Sequence, residues 1–254
     1  MPINKTLYLG DCIETMRSML ENSVDAIVTD PPYELGFMGK SWDSTGIAFN
    51  PEVWREALRV LKPGGHLLAF SGSRTYHRMA VAIEDAGFEI RDQIMWIYGS
   101  GFPKSLDISK AIDKGEGVWR GRAGAVTTEN GSMSGANYER TPKEPPFTAA
   151  AKQWQGWGTA LKPAHEPLVL ARKPIQGTVA NNVLTYGVGG LNIDATRVGN
   201  EGGTTRKGES THLSPSGAFN TGHQIEKLDA GRFPANLIHD GSDEVVELFP
   251  NKAG

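Results

Sequence analysis

The feature that most constrains the fold of this chain is an apolar run, residues 24–29, that ends in Asp30-Pro31-Pro32-Tyr33. An apolar run rich in branched residues predicts a buried strand of a parallel sheet. The strand stops at Asp30 because proline has no backbone N–H and cannot continue a ladder. In open α/β sheets, ligands bind beyond the carboxyl ends of the strands. The sequence therefore predicts a binding site at Asp30.

The residues of this turn suit a planar group that carries two N–H donors. An ionised Asp30 can only accept hydrogen bonds, and the two prolines remove competing donors while they fix φ, so that a nearby carbonyl can also accept. Tyr33 adds a flat face for stacking. The exocyclic amine of a nucleobase that is flipped out of a duplex meets these requirements. On these four residues alone, a turn that merely ends a strand stays open as the alternative.

Asp30-Pro31-Pro32-Tyr33 resembles the catalytic motif of the amino-group DNA methyltransferases, which methylate adenine N6 or cytosine N4 with S-adenosylmethionine. The form with Asp is more typical of the adenine enzymes. The resemblance implies that Asp30 and the Pro31 carbonyl hold the amine, that Pro32 belongs to the same catalytic turn, and that Tyr33 stacks on the base. It also implies S-adenosylmethionine as cofactor and double-stranded DNA as partner.

The resemblance implies an α/β fold: a Rossmann-like, S-adenosylmethionine-dependent methyltransferase sheet with helices on both faces, plus a loop-rich recognition region. We predict a catalytic core over residues 1–175, with a mobile polar insertion at about 115–147, and a partial target-recognition region over residues 176–254. Predicted elements include a first strand at Leu7-Tyr8-Leu9, a helix that begins at Asn50-Pro51, a strand over 66–70 and an antiparallel edge pair formed by 88–98 and 166–172.

The candidate cofactor-binding residues are Asp11, Cys12, Asp30 and Ser71. In the family, a Gly-Asp pair upstream of the catalytic strand lies beside the adenosine of the cofactor. Asp11 is equally suited to cap a helix whose apolar face is predicted from Ile13 to Leu20.

The loop after the catalytic turn is predicted to be mobile and to face DNA. Phe37, Met38 and Trp42 can fill the space left by a flipped base while Lys40 contacts phosphate, or they can pack beneath the loop. The loop also resembles that of phage-encoded and prophage-encoded adenine methyltransferases. Further candidates for DNA contacts, each of which can instead be a solvated surface residue, are Lys104, Arg197, Arg206 and Lys207.

Charge is distributed unevenly along the chain. The net charge of −3 divides into −4 over residues 1–100, +4 over residues 101–175 and −3 over residues 176–254, so phosphate contacts are expected in the middle third. The single cysteine, Cys12, excludes an internal disulfide and a cysteine-based metal site. With no apolar run of membrane-spanning length and no signal peptide, we expect a cytoplasmic protein of a bacterial or phage-infected cell, bound to neither membrane nor metal.

A second family motif, an Asp-Pro-Phe-x-Gly-x-Gly-like loop that holds the methionine end of the cofactor, is absent from the sequence. Tyr186-Gly187-Val188-Gly189-Gly190 is Gly-rich but is predicted to be a turn. We therefore expect that the chain matches only the front portion of a longer family member and that its sheet lacks at least one strand and helix. The alternatives are a cytosine N4 methyltransferase and an inactive DNA-binding fragment. The sequence does not indicate the oligomeric state, the recognition site or a partner endonuclease.

Overall fold

The computed structural model describes residues 5–36, 41–101, 103, 105–118, 145–199, 204–207, 224–227 and 231–248. The chain divides into two compact units: Met1–Gly99 together with His165–Gly254, and Ser100–Ala164. The first unit carries the sheet. The predicted division between a catalytic core (1–175) and a recognition region (176–254) is a division by function, which these compact units do not test. It stays a prediction.

Helices and strands alternate through the first half of the chain, and the later elements are shorter. In chain order they are α1 (Cys12–Arg17), β1 (Val24–Thr29), α2 (Pro51–Val60), β2 (Leu61–Phe70), α3 (Tyr76–Asp85), β3 (Glu89–Ile97), α4 (Ile108–Gly115), α5 (Ala149–Gln153), β4 (His165–Arg172), α6 (Val179–Tyr186), β5 (Thr204–Lys207), β6 (Gln224–Lys227), β7 (Leu237–His239) and α7 (Asp243–Val246). Short 3₁₀ helices form at Ser41–Asp43, Ile47–Phe49 and Asp194–Thr196.

The sheet has five strands in the order β1-β2-β4-β3-β7, and β5 and β6 form a separate antiparallel pair. β1 runs parallel to β2, whereas β4 runs antiparallel to both β2 and β3. The predicted α/β class is confirmed, and so is the antiparallel pairing of the two long strands. The expectation that this pair forms the edge of the sheet is wrong, because β7 pairs in parallel with the outer side of β3.

One face of the sheet carries the core. Leu67 and Ala69 of β2 lie directly opposite Ala171 and Val169 of β4, so these four side chains point to the same side. They share a cluster of buried residues with α2 and α3, to which those helices contribute Trp54, Ala57, Met79, Ala82 and Ile83. The predicted start of α2 is confirmed, because the Asn50 side chain accepts a hydrogen bond from the Glu52 N–H and Pro51 follows the cap.

β1 is an edge strand, which corrects the prediction of a fully buried one. Val24 and Ile27 pack against the core cluster, but Val28 is 70% exposed. Among the strands that the structure describes, β1 pairs with β2 alone. Apolar residues point to both faces of the strand, as in a buried parallel strand, yet Val28 on one of these faces is exposed.

Two N-terminal expectations are also corrected. Residues 7–9 do not form a strand, and Leu7 is 94% exposed. A segment of three residues needs pairing to satisfy its backbone groups, and no described strand lies beside it. The predicted amphipathic helix forms only over Cys12–Arg17 and ends before Leu20, which is exposed.

Helix α6 was not predicted from the sequence, because residues 176–254 were expected to form a loop-rich recognition region. The Thr178 side chain accepts from the Asn181 N–H and caps the helix, and Gly187 ends it with a φ of 74°. The Gly-rich segment after Tyr186 is a turn, as predicted, and this turn ends α6.

Asn182 ties α6 to β2. Its side chain is fully buried, its Nδ2 donates to the carbonyls of Pro63 at 2.9 Å and Val188 at 2.8 Å, and its Oδ1 accepts from the Gln176 N–H at 3.0 Å. Gly64 allows this approach, since a Cβ at that position would lie 2.3 Å from the amide nitrogen of Asn182. The contact fixes the chain that leaves the sheet after β4.

We expect Asn182→Ala to lower the free energy of unfolding by about 1–3 kcal/mol, because buried backbone groups lose their partners. The matched control is Asn181→Ala, an exposed neighbour, with an expected change within about 0.5 kcal/mol. Urea unfolding followed by circular dichroism measures both values. Equal losses in the two variants would contradict this role of Asn182.

Candidate active site

Three strands have an end on the same side of the sheet, which is the side of the carboxyl ends of β1 and β2 and of the first residues of β4. The parallel pairing of β1 and β2 places their carboxyl ends side by side, where Asp30 and Ser71 follow the two strands. Because β4 is antiparallel to β2, its first residues lie at the same edge, and the Ser71 N–H donates to the Pro167 carbonyl at 3.0 Å. Trp96 of β3 lies opposite Glu166. Chain segments far apart in sequence thus converge on the turn that follows β1.

The catalytic turn is accessible, as the sequence-based hypothesis requires. Asp30 is exposed, and Pro31, Pro32 and Tyr33 are partly buried. The ring of Tyr33 lies near Gly72, since a Cβ at that position would be 3.4 Å from the Tyr33 Cδ2 atom. The turn therefore presents a carboxylate to solvent beside an aromatic side chain that is held in place.

The hydroxyl of Tyr33 donates a hydrogen bond to Oε2 of Glu166 at 2.9 Å. Asp30 faces the same hydroxyl, and the hydroxyl of Tyr98 also interacts with Glu166. Burial, followed by the hydrogen bond to Glu166, raises the pKa of Tyr33 above its usual range. Burial, followed by the charge of Glu166, also raises the pKa of Tyr98. Both phenols therefore stay protonated at neutral pH.

Two acidic side chains fold the chain after Tyr33 back on itself. The carboxylate of Asp43, which is 2% exposed, accepts from the Glu34 and Leu35 N–H groups at 3.0 and 3.3 Å. The carboxylate of Glu34 in turn accepts from the Gly46 N–H at 2.8 Å. These hydrogen bonds hold both ends of the loop that was predicted to be mobile. Phe37, Met38 and Lys40, which were predicted to face DNA, lie outside the described residues.

The predicted cofactor-binding residues lie at two places. Asp11 caps α1 and accepts from the Ile13 and Glu14 N–H groups through Oδ1, as the capping interpretation required. Its Oδ2 can accept from a ligand hydroxyl at the same time, so the residue fits both roles. Cys12 is an exposed free thiol. Ser71 is buried, and its hydroxyl points to the Gly72 carbonyl. Cofactor binding by these residues stays a prediction.

The predicted DNA contacts differ in how far the structure describes them. Trp42, in the loop that follows the catalytic turn, is 56% exposed. Arg197 bonds to Asp194 at 2.9 Å and to the Gly231 carbonyl at 3.3 Å, so two of its nitrogens already have partners. The structure describes the strand backbone at Arg206 and Lys207 but not their side chains, and Lys104 lies outside the described residues.

Glu166 and Tyr98 are site residues that the sequence-based analysis missed. Both were assigned only to strands, because the place of Glu166 beside Tyr33 depends on the pairing of β1 and β4 with β2, and that of Tyr98 beside Glu166 on the pairing of β3 with β4. The available signal was the polar pair His165-Glu166 directly before a buried apolar strand, at the end where the catalytic turn was expected.

The described residues show no helix with the length and apolar character to cross a membrane. Within the same ranges, no group of three or more His, Cys, Asp or Glu side chains is placed to hold a metal ion.

Comparison with known proteins gives the family. The model of the N6/N4 methyltransferase family, described as DNA methylase, matches residues 24–183, which include β1 and the catalytic turn. The chain belongs to this family of DNA methyltransferases. The predicted amino-group methyltransferase family is therefore confirmed, whereas the match does not separate adenine N6 from cytosine N4 as the target.

The matched segments span less than two thirds of the length of each of the following relatives. Over 120 residues the chain is 31% identical to Type II methyltransferase M.HpaI of Haemophilus parainfluenzae, a match that spans 44% of this chain and 37% of the relative. Over 230 residues it is 24% identical to Type II methyltransferase M.HindIII of Haemophilus influenzae, spanning 73% and 64%. A putative DNA modification methylase of Thermus thermophilus, solved in complex with S-adenosyl-L-methionine, aligns at 20% identity and a TM-score of 0.37, over 69% of this chain and 57% of that one.

We expect Asp43→Ala to loosen the turn after Tyr33, because two N–H groups lose a buried acceptor. The free energy of unfolding should fall by about 1–3 kcal/mol, and the amides of Glu34 and Leu35 should exchange faster with deuterium. Asp25→Ala is the control: it removes an exposed carboxylate that pairs with Lys62, and the expected change is below about 1 kcal/mol. Unchanged exchange at both amides in Asp43→Ala would contradict the role of Asp43.

Proposed function

We propose that this protein transfers a methyl group from S-adenosylmethionine to the exocyclic N6 amine of adenine in double-stranded DNA, at a specific site and after the base has flipped out. The observation that carries the proposal is the exposed carboxylate of Asp30 beside the supported ring of Tyr33, at the end of β1. Family membership supports the reaction type. The Asp form of the motif supports adenine.

The residues of the turn act mainly by positioning and by accepting hydrogen bonds. S-adenosylmethionine supplies the methyl group as part of a sulfonium cation. Asp30 and the Pro31 carbonyl accept the two hydrogens of the amine, which draws its lone pair out of conjugation with the ring. The nitrogen forms the new bond to carbon as the carbon–sulfur bond breaks, and the proton leaves late, to Asp30. Both acceptors stabilise the positive charge that develops on nitrogen.

The remaining residues of the proposal bind the two partners. Asp11, Cys12, Asp30 and Ser71 are assigned to the cofactor, Asp11 through the oxygen that does not cap α1. DNA contacts are assigned to Lys40, Trp42, Lys104, Arg197, Arg206 and Lys207. Residues 1–175 form the catalytic core and 176–254 a target-recognition region, in a phage-type enzyme of a restriction–modification context that acts in the cytoplasm.

The outer edge of β1 is relevant to whether this chain is active by itself. Among the described strands β1 pairs with β2 alone, so the backbone groups of its other edge are open to pairing with a further strand. We propose that such a strand is needed to complete the cofactor site. An inactive DNA-binding fragment is the alternative that this edge favours. Calorimetric titration with S-adenosylmethionine separates the two, because only the enzyme binds the cofactor.

Expression in a host that lacks DNA methylation tests the proposal. Digestion of the host DNA and mass spectrometry of the nucleosides should show N6-methyladenosine, and sequencing of the modified DNA should give the recognition site. N4-methylcytosine in its place would assign the protein to the other amine, which the same acceptors can hold. DNA without either product would refute a methyltransferase activity of this chain.

We expect Asp30→Ala to lower methyl transfer by about 100-fold or more, because the amine loses a charged acceptor, while binding of duplex DNA changes little. Asp25→Ala, at the opposite end of the same strand, should keep full activity. Transfer of tritiated methyl groups and a gel-shift titration measure the two quantities. Undiminished transfer by Asp30→Ala would contradict the assignment.

A further inference from the structure

Glu166 links the start of β4 to the turn after β1. It accepts from the Tyr33 hydroxyl at 2.9 Å, a contact between residues 133 positions apart. The backbone around Glu166 is held by pairing with Trp96 on one side and by the bond from Ser71 to Pro167 on the other. Because Pro167 and the residues after it are buried, the carboxylate is attached to a rigid part of the sheet.

Two carboxylates face the hydroxyl of Tyr33. Glu166 accepts the hydrogen bond from this hydroxyl at 2.9 Å, and Asp30 interacts with the same hydroxyl through its charge and a weaker hydrogen bond. A phenol has a single hydroxyl proton, so it makes one good hydrogen bond as a donor. If Asp30 accepted that bond in place of Glu166, the phenol would occupy one acceptor position of the carboxylate that is otherwise open to the target amine.

The bond to Glu166 also fixes the ring. A tyrosine side chain turns about two torsions, and the hydrogen bond at the hydroxyl restrains both. The partial burial of Tyr33 limits them further. The pKa directions of Tyr33 and Tyr98 agree with this arrangement, since both hydroxyls stay protonated and can donate to Glu166.

We propose that Glu166 is a positioning residue for methyl transfer: it accepts the main hydrogen bond of the Tyr33 hydroxyl, which holds the ring in place and draws the hydroxyl away from the Asp30 carboxylate that accepts from the target amine. The inference rests on the proposed function. It goes further by assigning a positioning role to a residue outside the catalytic turn.

Steady-state methyl transfer by Glu166→Ala tests the proposal. We expect kcat to fall by about 10- to 100-fold, with KM for DNA unchanged within about threefold. Glu166→Gln keeps an oxygen acceptor and should recover most of the loss. Glu166→Met, which has a similar volume and no strong acceptor, should behave like Glu166→Ala and serves in its place if that variant does not fold.

The double variant Glu166→Ala/Tyr33→Phe distinguishes this role from a structural one. Without the hydroxyl, nothing at position 33 competes for Asp30, so the double variant should be faster than Glu166→Ala and close to Tyr33→Phe. Glu89→Ala removes a partly buried carboxylate from the other end of the β3–β4 pair and should leave kcat unchanged. All variants are assayed below their measured unfolding temperatures.

The outcomes distinguish a failure of this proposal from a failure of the proposed function. An active wild-type protein with an unchanged kcat for Glu166→Ala and Glu166→Met overturns the proposal, and so does a double variant no faster than Glu166→Ala. A Glu166→Gln variant as slow as Glu166→Ala overturns it as well, because the hydrogen-bond acceptor would not be what matters. A wild-type protein that transfers no methyl group refutes the proposed function itself, and the role of Glu166 with it.

Discussion

The pairing of β1 and β4 with the two edges of β2 is the constraint on which the site depends. Parallel pairing on one side and antiparallel pairing on the other place the end of β1, the end of β2 and the start of β4 at one edge of the sheet. Asp30 and Glu166 come together only through this arrangement. Pro31 and Pro32 then end β1, because neither can donate to a ladder, and the chain turns out of the sheet where the other two segments meet it.

Hydrogen bonds to acidic side chains shape the chain that follows. Asp43 accepts from the two N–H groups after Tyr33, Glu34 accepts from the far side of the loop, and Glu166 accepts from Tyr33 itself. Asp43 and Glu166 satisfy donors that are partly buried, whereas the Gly46 N–H that Glu34 binds is exposed. Asp30 differs from these three acids, since it is exposed and has only a weaker interaction with the Tyr33 hydroxyl.

The sequence predicted what local chemistry determines. A run of apolar residues followed by two prolines indicates a strand and its end, and Asn50-Pro51 indicates the start of a helix, because these effects act within a few residues. Pairing partners are not local. The sequence therefore did not place Glu166 beside Tyr33, and it did not show that β1 lies at the edge of the sheet with Val28 exposed. Composition misled at α6, where polar residues surround a short helix held by the buried amide of Asn182.

The central claim is that the end of β1 holds a nucleobase between the carboxylate of Asp30 and the ring of Tyr33. Photocrosslinking tests this claim most directly, with a duplex that carries 5-iodouracil in place of the target base at the recognition site found by sequencing. The account predicts that the crosslinked peptide contains Tyr33 and that Tyr33→Ala loses the crosslink. A crosslink of equal yield in Tyr33→Ala, or one that maps to a peptide without the catalytic turn, would contradict the account.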